Sequence, residues 1–519
     1  MLKLKRVVLL FCLVFLLFCL NQSYSQGISS KVKLSYISLD QNGDRYSLPE
    51  LYNVYSGFSL EKFYLTGRFK TNSTFQVSLN NVNLDNRDLG LSLNLPDHFS
   101  LRAAHRKSRF VFDEDGDVTS FRTRTGVGAI YKPAAFLKFS LDYSHQLKEG
   151  DRLGYVEANP GVLGGEYDQI IHSGKGGVQL RWGQRYLTLS HRILFFDSDL
   201  NDGLDRKSNR TEISLNTPFP GNASVSLRYT HDESKLEEKD LKLKTDLFAG
   251  TVFRRMSSRI TAGAKFSFQR SDNLSTYNMT DIGRAGSWLS YQICDKFETE
   301  LGYEYQNKED QYGKINTHSI LLGAKTKPVK QLFISGLYRF KTRKDPDFST
   351  LTGEYNQDNK LLKVRYEPVE KVNIQMRYQE KIRDNKDIDT KAESQGLYSN
   401  LFVRLREECN LTFYFNLLDW DFHNFQTDYQ TSNRTYGLTI NLKPIQSFKL
   451  KGGASYLELS KDLDINKYSF SVGLSYELLK GYAVEADFER FKYEDMITSE
   501  NDFDANVFKI GVLKTINRF

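Results

Sequence analysis

Two aspartate-rich segments hold the residues best suited to bind a metal ion. Asp113, Asp115 and Asp117 stand two residues apart in FDEDGDVT, and residues 197–205 read DSDLNDGLD. Calcium takes six to eight oxygen ligands, and such spacing supplies several carboxylates from one loop. Neither segment has the glutamate that an EF-hand carries at its twelfth position. Calcium binding and an ordinary solvated acidic loop therefore both stay open.

The histidines and cysteines form no recognisable catalytic or haem motif. The eight histidines are scattered, and the sequence contains no HExxH, GxSxG, P-loop or dinucleotide fingerprint. It also has no CxxC and no CxxCH, so we expect no zinc finger and no covalently bound haem in this chain. Cys294 and Cys409 lie far apart in sequence, and whether they pair stays open. We expect that the chain is not an enzyme and has no cofactor of its own.

Residues 1–25 predict a secretory signal peptide that is cleaved. The basic MLKLKR precedes an apolar run of 14 residues, and small residues follow at Ser23–Ser25. The run is too short for a membrane helix. Loss of Lys3, Lys5 and Arg6 lowers the formal net charge from +7 to +4, which is too mild to indicate a nucleic-acid partner. Residues 26–519 are expected to form a single domain.

Apolar and polar residues alternate with a period of two along almost the whole remaining chain. In FLKFSLDYSH, the residues Leu137, Phe139 and Leu141 alternate with Lys138, Ser140 and Asp142. This pattern predicts strands with one apolar and one polar face. The mean hydropathy of −0.50 does not argue against a membrane, because alternation averages to a polar value.

Two classes of connection separate these strands. One class is short, as in YKPAA, YEPVE and LKPIQ, and the other is longer and rich in Asp, Asn, Gly and Ser. Short turns at one rim and long polar loops at the other are typical of outer-membrane barrels. We predict an all-β fold, a transmembrane antiparallel up-and-down β-barrel of about 26 strands (24–28) without a plug domain. A soluble propeller or sandwich would need turns of similar length on both sides.

Aromatic residues predict the two edges of the membrane band. Each of three prolines precedes a tyrosine by ten residues, and the pairs are Pro133 with Tyr143, Pro328 with Tyr338, and Pro368 with Tyr378. Ten tilted residues span about 25 Å, close to the height of the apolar band. Tyr131, Trp182, Tyr366 and Phe519 would mark the inner edge. A C-terminal Phe519 is also expected to engage the barrel-assembly machinery.

A closed barrel of 26 strands would be about 50 Å wide. A partner could fill its lumen, loop 147–167 could fold inward, or the count could be too high. We expect the lumen to be polar and of both charge signs. The residues predicted to face it are Lys138, Asp142, Arg192, Arg228, Lys265, Glu298, Glu300, Arg377, Arg404, Lys449, Glu485 and Asp487.

The N-terminal third resembles the MtrB/PioB type of outer-membrane barrels that associate with decahaem cytochromes. The resemblance lies in residues 33–69, which begin KLSYISLDQNGDRYSLPELYN, and in residues 75–113, which begin FQVSLNNVNLDNRDLGLSLNL. Some family members carry an N-terminal CxxC that is absent here. The resemblance implies an outer-membrane, porin-like sheath for a periplasmic or extracellular multihaem c-type cytochrome, in extracellular electron transfer. Lipid and lipopolysaccharide would surround the barrel, and a diffusion porin for small solutes is the alternative. A TonB-dependent transporter would need a plug domain.

Overall fold

The structure, a computed structural model, describes most of the chain. The described residues are 25–43, 56–69, 73–82, 84–111, 119–153, 163–198, 205–236, 241–276, 278–345, 353–385, 389–423, 428–497 and 502–518. The segment predicted as a signal peptide, up to residue 24, and Phe519 lie outside them. None of the described residues forms a helix long and apolar enough to cross a bilayer.

The chain forms one antiparallel sheet of 26 strands. Their bounds are β1 Ser25–Gly43, β2 Gly57–Phe69, β3 Thr74–Asn80, β4 Arg87–Leu95, β5 Phe99–Val111, β6 Thr119–Ala134, β7 Leu137–Leu153, β8 Leu163–Trp182, β9 Arg185–Ser198, β10 Arg206–Phe219, β11 Ala223–Leu236, β12 Leu241–Arg255, β13 Ile260–Asn273, β14 Asn278–Cys294, β15 Phe297–Asp310, β16 Gly313–Val329, β17 Leu332–Lys344, β18 Tyr355–Val369, β19 Val372–Asn385, β20 Thr390–Arg406, β21 Cys409–His423, β22 Asp428–Ile445, β23 Phe448–Lys461, β24 Ile465–Leu479, β25 Tyr482–Asp495 and β26 Phe503–Arg518.

Each strand pairs with the next one in the chain, and β1 pairs with β26, from Ile28 opposite Arg518 to Gly43 opposite Phe503. The sheet is therefore closed and has no free edge, which removes the unpaired backbone groups that an open sheet would present. The predicted barrel and its count of 26 strands are confirmed. The N-terminal end of β1 and the C-terminal end of β26 lie at the same rim.

That rim, the short edge, is made of tight turns. Residues 135–136, 183–184 and 370–371 each join two strands directly. Gly183 (φ 63°), in the turn between β8 and β9, and Gly481 (φ 83°), in the turn between β24 and β25, adopt left-handed backbone conformations in which a side chain would be strained. The opposite rim, the long edge, carries the longer connections.

The predicted loop 147–167 is wrong over most of its length. Residues 147–153 belong to β7 and residues 163–167 to β8, and the two strands stay paired up to Leu153 opposite Leu163. Residues 154–162 lie outside the described part of the chain. The segment is rich in Gly and charged residues, but a strand that rises above the bilayer has water on both faces and needs no alternation to remain a strand.

Candidate functional site: the two faces of the barrel wall

The wall is one sheet thick, so successive residues point to opposite faces. On β7, the exposed Phe139, Leu141 and Tyr143 share one face. Lys138 and Asp142 share the other, and Asp142 lies opposite Lys175 on the neighbouring strand. Directly opposed residues in antiparallel strands point the same way, so the assignment carries from strand to strand around the barrel. We call the two surfaces the apolar face and the polar face.

A partial ring of tyrosines lies at one height on the apolar face, on strands between β7 and β19. Five strands that rise from the short edge carry a tyrosine six residues after their first residue, and each hydroxyl bonds a polar side chain towards the long edge. The pairs are Tyr143 with His172 (2.8 Å), Tyr229 with Asp246 (2.6 Å), Tyr303 with His318 (2.8 Å), Tyr338 with Asp358 (2.5 Å) and Tyr378 with Glu380 (2.9 Å). Rings in an apolar belt with hydroxyls towards water mark a membrane boundary.

The predicted height of this ring is wrong. Pro133 lies in β6, on the strand that descends to the turn before Tyr143. The ten-residue count therefore runs down one strand and up the next. The net climb is six residues, or about 15 Å along tilted strands, rather than about 25 Å. Tyr131, Trp182 and Tyr366 are exposed on the apolar face near the short edge.

The residues predicted for the lumen all lie within strands and on the polar face. By strand they are Lys138 and Asp142 on β7, Arg192 on β9, Arg228 on β11, Lys265 on β13, Glu298 and Glu300 on β15, Arg377 on β19, Arg404 on β20, Lys449 on β23, and Glu485 and Asp487 on β25. The apolar face matches the lipid-facing band of membrane barrels, and we take the polar face as the lining of the lumen.

Carboxylates on β15 are neutralised by cations of neighbouring strands. Lys265 on β13 forms an ion pair with Glu304, and Lys325 on β16 approaches Glu298 at 3.4 Å and Glu300 at 3.9 Å. Gly286, on the strand between Lys265 and Glu304, has no side chain to block their approach. The predicted residues Lys265, Glu298 and Glu300 thus belong to one compensated stretch of wall.

A second network spans the seam where the first and last strands meet. Lys33 Nζ on β1 lies 3.0 Å from Glu61 on β2, 2.8 Å from Glu485 and 3.7 Å from Asp487, both on β25. Strand β26 lies between β1 and β25, and its Gly511 opens the path, since a Cβ there would sit 3.0 Å from Lys33 Cε and 2.5 Å from Ser35 Oγ. The sequence could not show this network, because it depends on barrel closure.

An apolar cluster lies above this network, on the polar face near the long edge. Ile37, Phe503, Ala505 and Val507 are buried, with Val507 fully inaccessible. Leu84, from the turn between β3 and β4, packs against them. The turn is held against β2 by a bond from Asn81 N to Glu61 O of 3.1 Å. The alternating pattern predicts a strand over residues 73–84, whereas β3 ends at Asn80, so sequence reasoning missed this inward cover.

A basic cluster surrounds Tyr355 at the long edge, beyond the tyrosine ring. The guanidinium carbon of Arg383 lies 4.2 Å from the centroid of the Tyr355 aromatic ring. Lys341 Nζ lies 5.4 Å and the guanidinium carbon of Arg343 5.6 Å from the same centroid. Burial by itself would raise the pKa of Tyr355, but the hydrogen bond with Lys341 and the positive charges of Arg383 and Arg343 outweigh it and lower that pKa. Sequence reasoning did not single out these residues, which come together only through strand register.

Other predicted groups are not brought together. Cys294, exposed at the end of β14, and Cys409, buried at the start of β21, are free thiols. Residues 113–117 lie outside the described part of the chain, as do residues 199–204. Among the described residues, no three His, Cys, Asp or Glu side chains are grouped to hold a metal ion.

A closed antiparallel barrel with a tyrosine-bounded apolar exterior and a charged interior is a transmembrane β-barrel of the outer membrane. The chain belongs to the MtrB/PioB family, described as "Putative outer membrane beta-barrel porin, MtrB/PioB", which matches residues 113–462. The predicted family and the outer-membrane location are confirmed. The match begins where the two stretches that suggested the resemblance, residues 33–69 and 75–113, come to an end. No curated protein matches the chain.

Solved structures with similar folds include an iron transporter and a siderophore receptor. The FrpB iron transporter of Neisseria meningitidis (F3-3 variant) has 9% sequence identity and a TM-score of 0.53 over 81% of this chain and 82% of that one. The siderophore receptor PirA of Acinetobacter baumannii has 10% identity and a TM-score of 0.52 over 95% and 81%. At such low identity the likeness shows the barrel fold alone.

Proposed function

We propose that this barrel is a porin-like sheath for a multihaem c-type cytochrome in its lumen and so supports electron transfer across the outer membrane. The observation that carries the proposal is the closure of 26 strands into one wall. Strands about 4.8 Å apart and tilted by about 40° give a backbone diameter of about 50 Å. An opening of that size is far wider than a small solute needs, and left open it would abolish the membrane barrier.

The lining suits a soluble-type protein surface. The polar face presents both charge signs, with ion pairs such as Lys265 with Glu304 and Lys33 with Glu485. Interfaces between soluble proteins are similarly mixed, with charged and polar rims. A haem chain must be kept close-spaced and shielded, and an insulating wall of hydrogen-bonded strands supplies the shield. The proposal includes a lumen filled by a partner and not by this chain, with haem carried only by the partner and no catalytic step on the barrel itself.

The test is purification of the tagged barrel from its own host in mild detergent. A haem-stained protein should co-purify at close to one copy per barrel. In a planar bilayer the complex should conduct weakly, and conductance should rise when the partner is stripped off. A barrel that purifies without haem protein and passes small solutes in order of their size is a diffusion porin, and that result would overturn the proposal.

A further inference from the structure

Several pairs of like-charged residues face each other directly across strands of the polar face, and in three of these pairs both residues are exposed and neither forms an ion pair within the described chain. Arg106 on β5 lies opposite Arg124 on β6, and Lys363 on β18 lies opposite Arg377 on β19. A third pair, Lys175 and Arg192, joins β8 and β9. All six side chains are exposed. Directly opposed like charges destabilise a strand pair, where opposite charges would stabilise it.

Within the described chain, none of these six cations forms an ion pair. Arg192 donates to Ser173 Oγ (3.0 Å), and Arg377 donates to Gln379 and lies over the Tyr398 ring. Two carboxylates lie in register with these cations but form no ion pair with them in the described chain. Asp88 on β4 lies opposite Arg106, and Asp142, opposite Lys175, is directed towards Gly128, where its Oδ1 occupies the place that a Cβ would take. This contrasts with β13–β16 and with the seam, where lysines are matched to glutamates.

The positions of two pairs are related by the closure of the barrel. The pair Arg106 and Arg124 straddles β5 and β6, and the pair Lys363 and Arg377 straddles β18 and β19. The two sites are thirteen strands apart in a ring of 26, which is half the circumference. Arg106 is seven residues and Arg377 five residues above the start of its strand, so both pairs lie about 12–17 Å above the short edge.

We propose that these two opposed cationic pairs grip an acidic protein surface inside the lumen. The inference rests on the proposed function, to which it adds the charge of the partner and where it is held. Side chains reaching about 7 Å from each wall leave a gap of about 35 Å, close to the width of a small domain. Anionic patches on two opposite sides of the partner would neutralise both pairs at once and centre it in the barrel. A small anion could neutralise only one side at a time.

The test removes the pairs by neutral substitution. One variant carries Arg106→Gln and Arg124→Gln, the second carries Lys363→Gln and Arg377→Gln, and the control carries Lys449→Gln and Lys451→Gln. Each loses two exposed positive charges of the polar face, but those of the control are not opposed to another cation. Each tagged barrel is purified from its host over a series of NaCl concentrations, and haem absorbance per barrel is measured.

Wild-type barrel should retain its haem protein at physiological salt and release it as salt screens the contact. Each pair variant should bind about tenfold more weakly, while the control stays within about twofold of wild type. Haem retained equally by wild type, pair variants and control would overturn the grip but leave the sheath standing. Equal loss in the control would also overturn it, because position would not matter. A wild-type barrel that never carries haem protein would overturn the sheath, and the grip with it.

Heat-modifiability on gels checks that each variant folds. Because like-charged neighbours destabilise the empty wall, the pair variants should fold at least as well as wild type. A partner-free pair variant that is less stable than wild type would contradict the strain on which the inference depends.

Discussion

The seam network makes Lys33→Met the sharpest test of how the barrel closes. The Lys33 side chain is only 9% exposed, and its partners Glu61 and Glu485 are 29% and 23% exposed. Removing one member of a fully buried ion pair costs about 3–5 kcal/mol, and an exposed pair contributes about 0–1 kcal/mol. These half-buried carboxylates lie between the limits, so we expect a loss of about 2 kcal/mol in the free energy of unfolding.

The measurement is reversible urea unfolding of barrel refolded into lipid vesicles, followed by tryptophan fluorescence. Lys449→Met is the matched control, since Lys449 is an exposed cation of the same face for which the described chain offers no ion pair. It should change the unfolding free energy by less than about 0.5 kcal/mol. Gly511→Val keeps every charge but blocks the path of Lys33 across β26, and it should cost as much as Lys33→Met. If Lys33→Met unfolds like Lys449→Met, the network does not hold the seam.

Three further outcomes follow from particular contacts. Tyr338→Phe removes the hydroxyl that donates to Asp358 and should lower the free energy of unfolding by about 1 kcal/mol in the same assay. The control, Tyr312→Phe at the exposed long edge, should leave the free energy of unfolding unchanged. Equal losses in the two variants would show that the ring of tyrosine hydrogen bonds does not stabilise the barrel. Gly437→Ala places a Cβ 1.9 Å from the Tyr414 side chain and should lower the free energy of unfolding by about 1–3 kcal/mol. Gly336→Ala is the control, since a Cβ there has nothing within 4 Å. Adding Tyr414→Ala to Gly437→Ala should restore part of the lost stability. Cys294 should react with a maleimide in the folded barrel and the buried Cys409 only after unfolding; comparable rates would contradict the placement of β21.

The strands could be predicted well from the sequence because a barrel wall requires only a simple alternating pattern. Each strand within the bilayer needs lipid on one face and water on the other, so residues such as Leu137, Phe139 and Leu141 must alternate with polar ones. The signal fails where that demand ends. Above the tyrosine ring both faces meet water, and residues 147–153 are strand without looking like one. The C-terminal limit of β3 was placed too late for a related reason, since Leu84 is apolar but covers an inward cluster.

The sequence predicts which face of the wall a charged residue lies on, but not which residue lies opposite it on the next strand. Alternation is enough to place Arg377 or Glu485 on the polar face. Which residue lies opposite depends on register, and the register of a hairpin is set by its turn and bulges. The pairs Arg106 with Arg124 and Lys363 with Arg377 therefore cannot be read from the sequence, and Lys33 meets Glu485 only because the first and last strands close the ring.

The distribution of charge around the wall explains how a chain with a small net charge can have an interior whose charge differs from one side to another. The formal net charge of the whole chain is +7, a value that by itself indicates no particular partner. In the folded barrel, however, carboxylates on β15 and β25 form ion pairs with lysines of nearby strands. Cations on β5, β6, β18 and β19 face each other and form no ion pair within the described chain. A wall that places glutamates beside Lys265 and Lys325 could do the same beside Arg124 and Lys363. Because opposed like charges cost stability in the empty barrel, we expect their compensation to come from the partner that we propose enters the lumen.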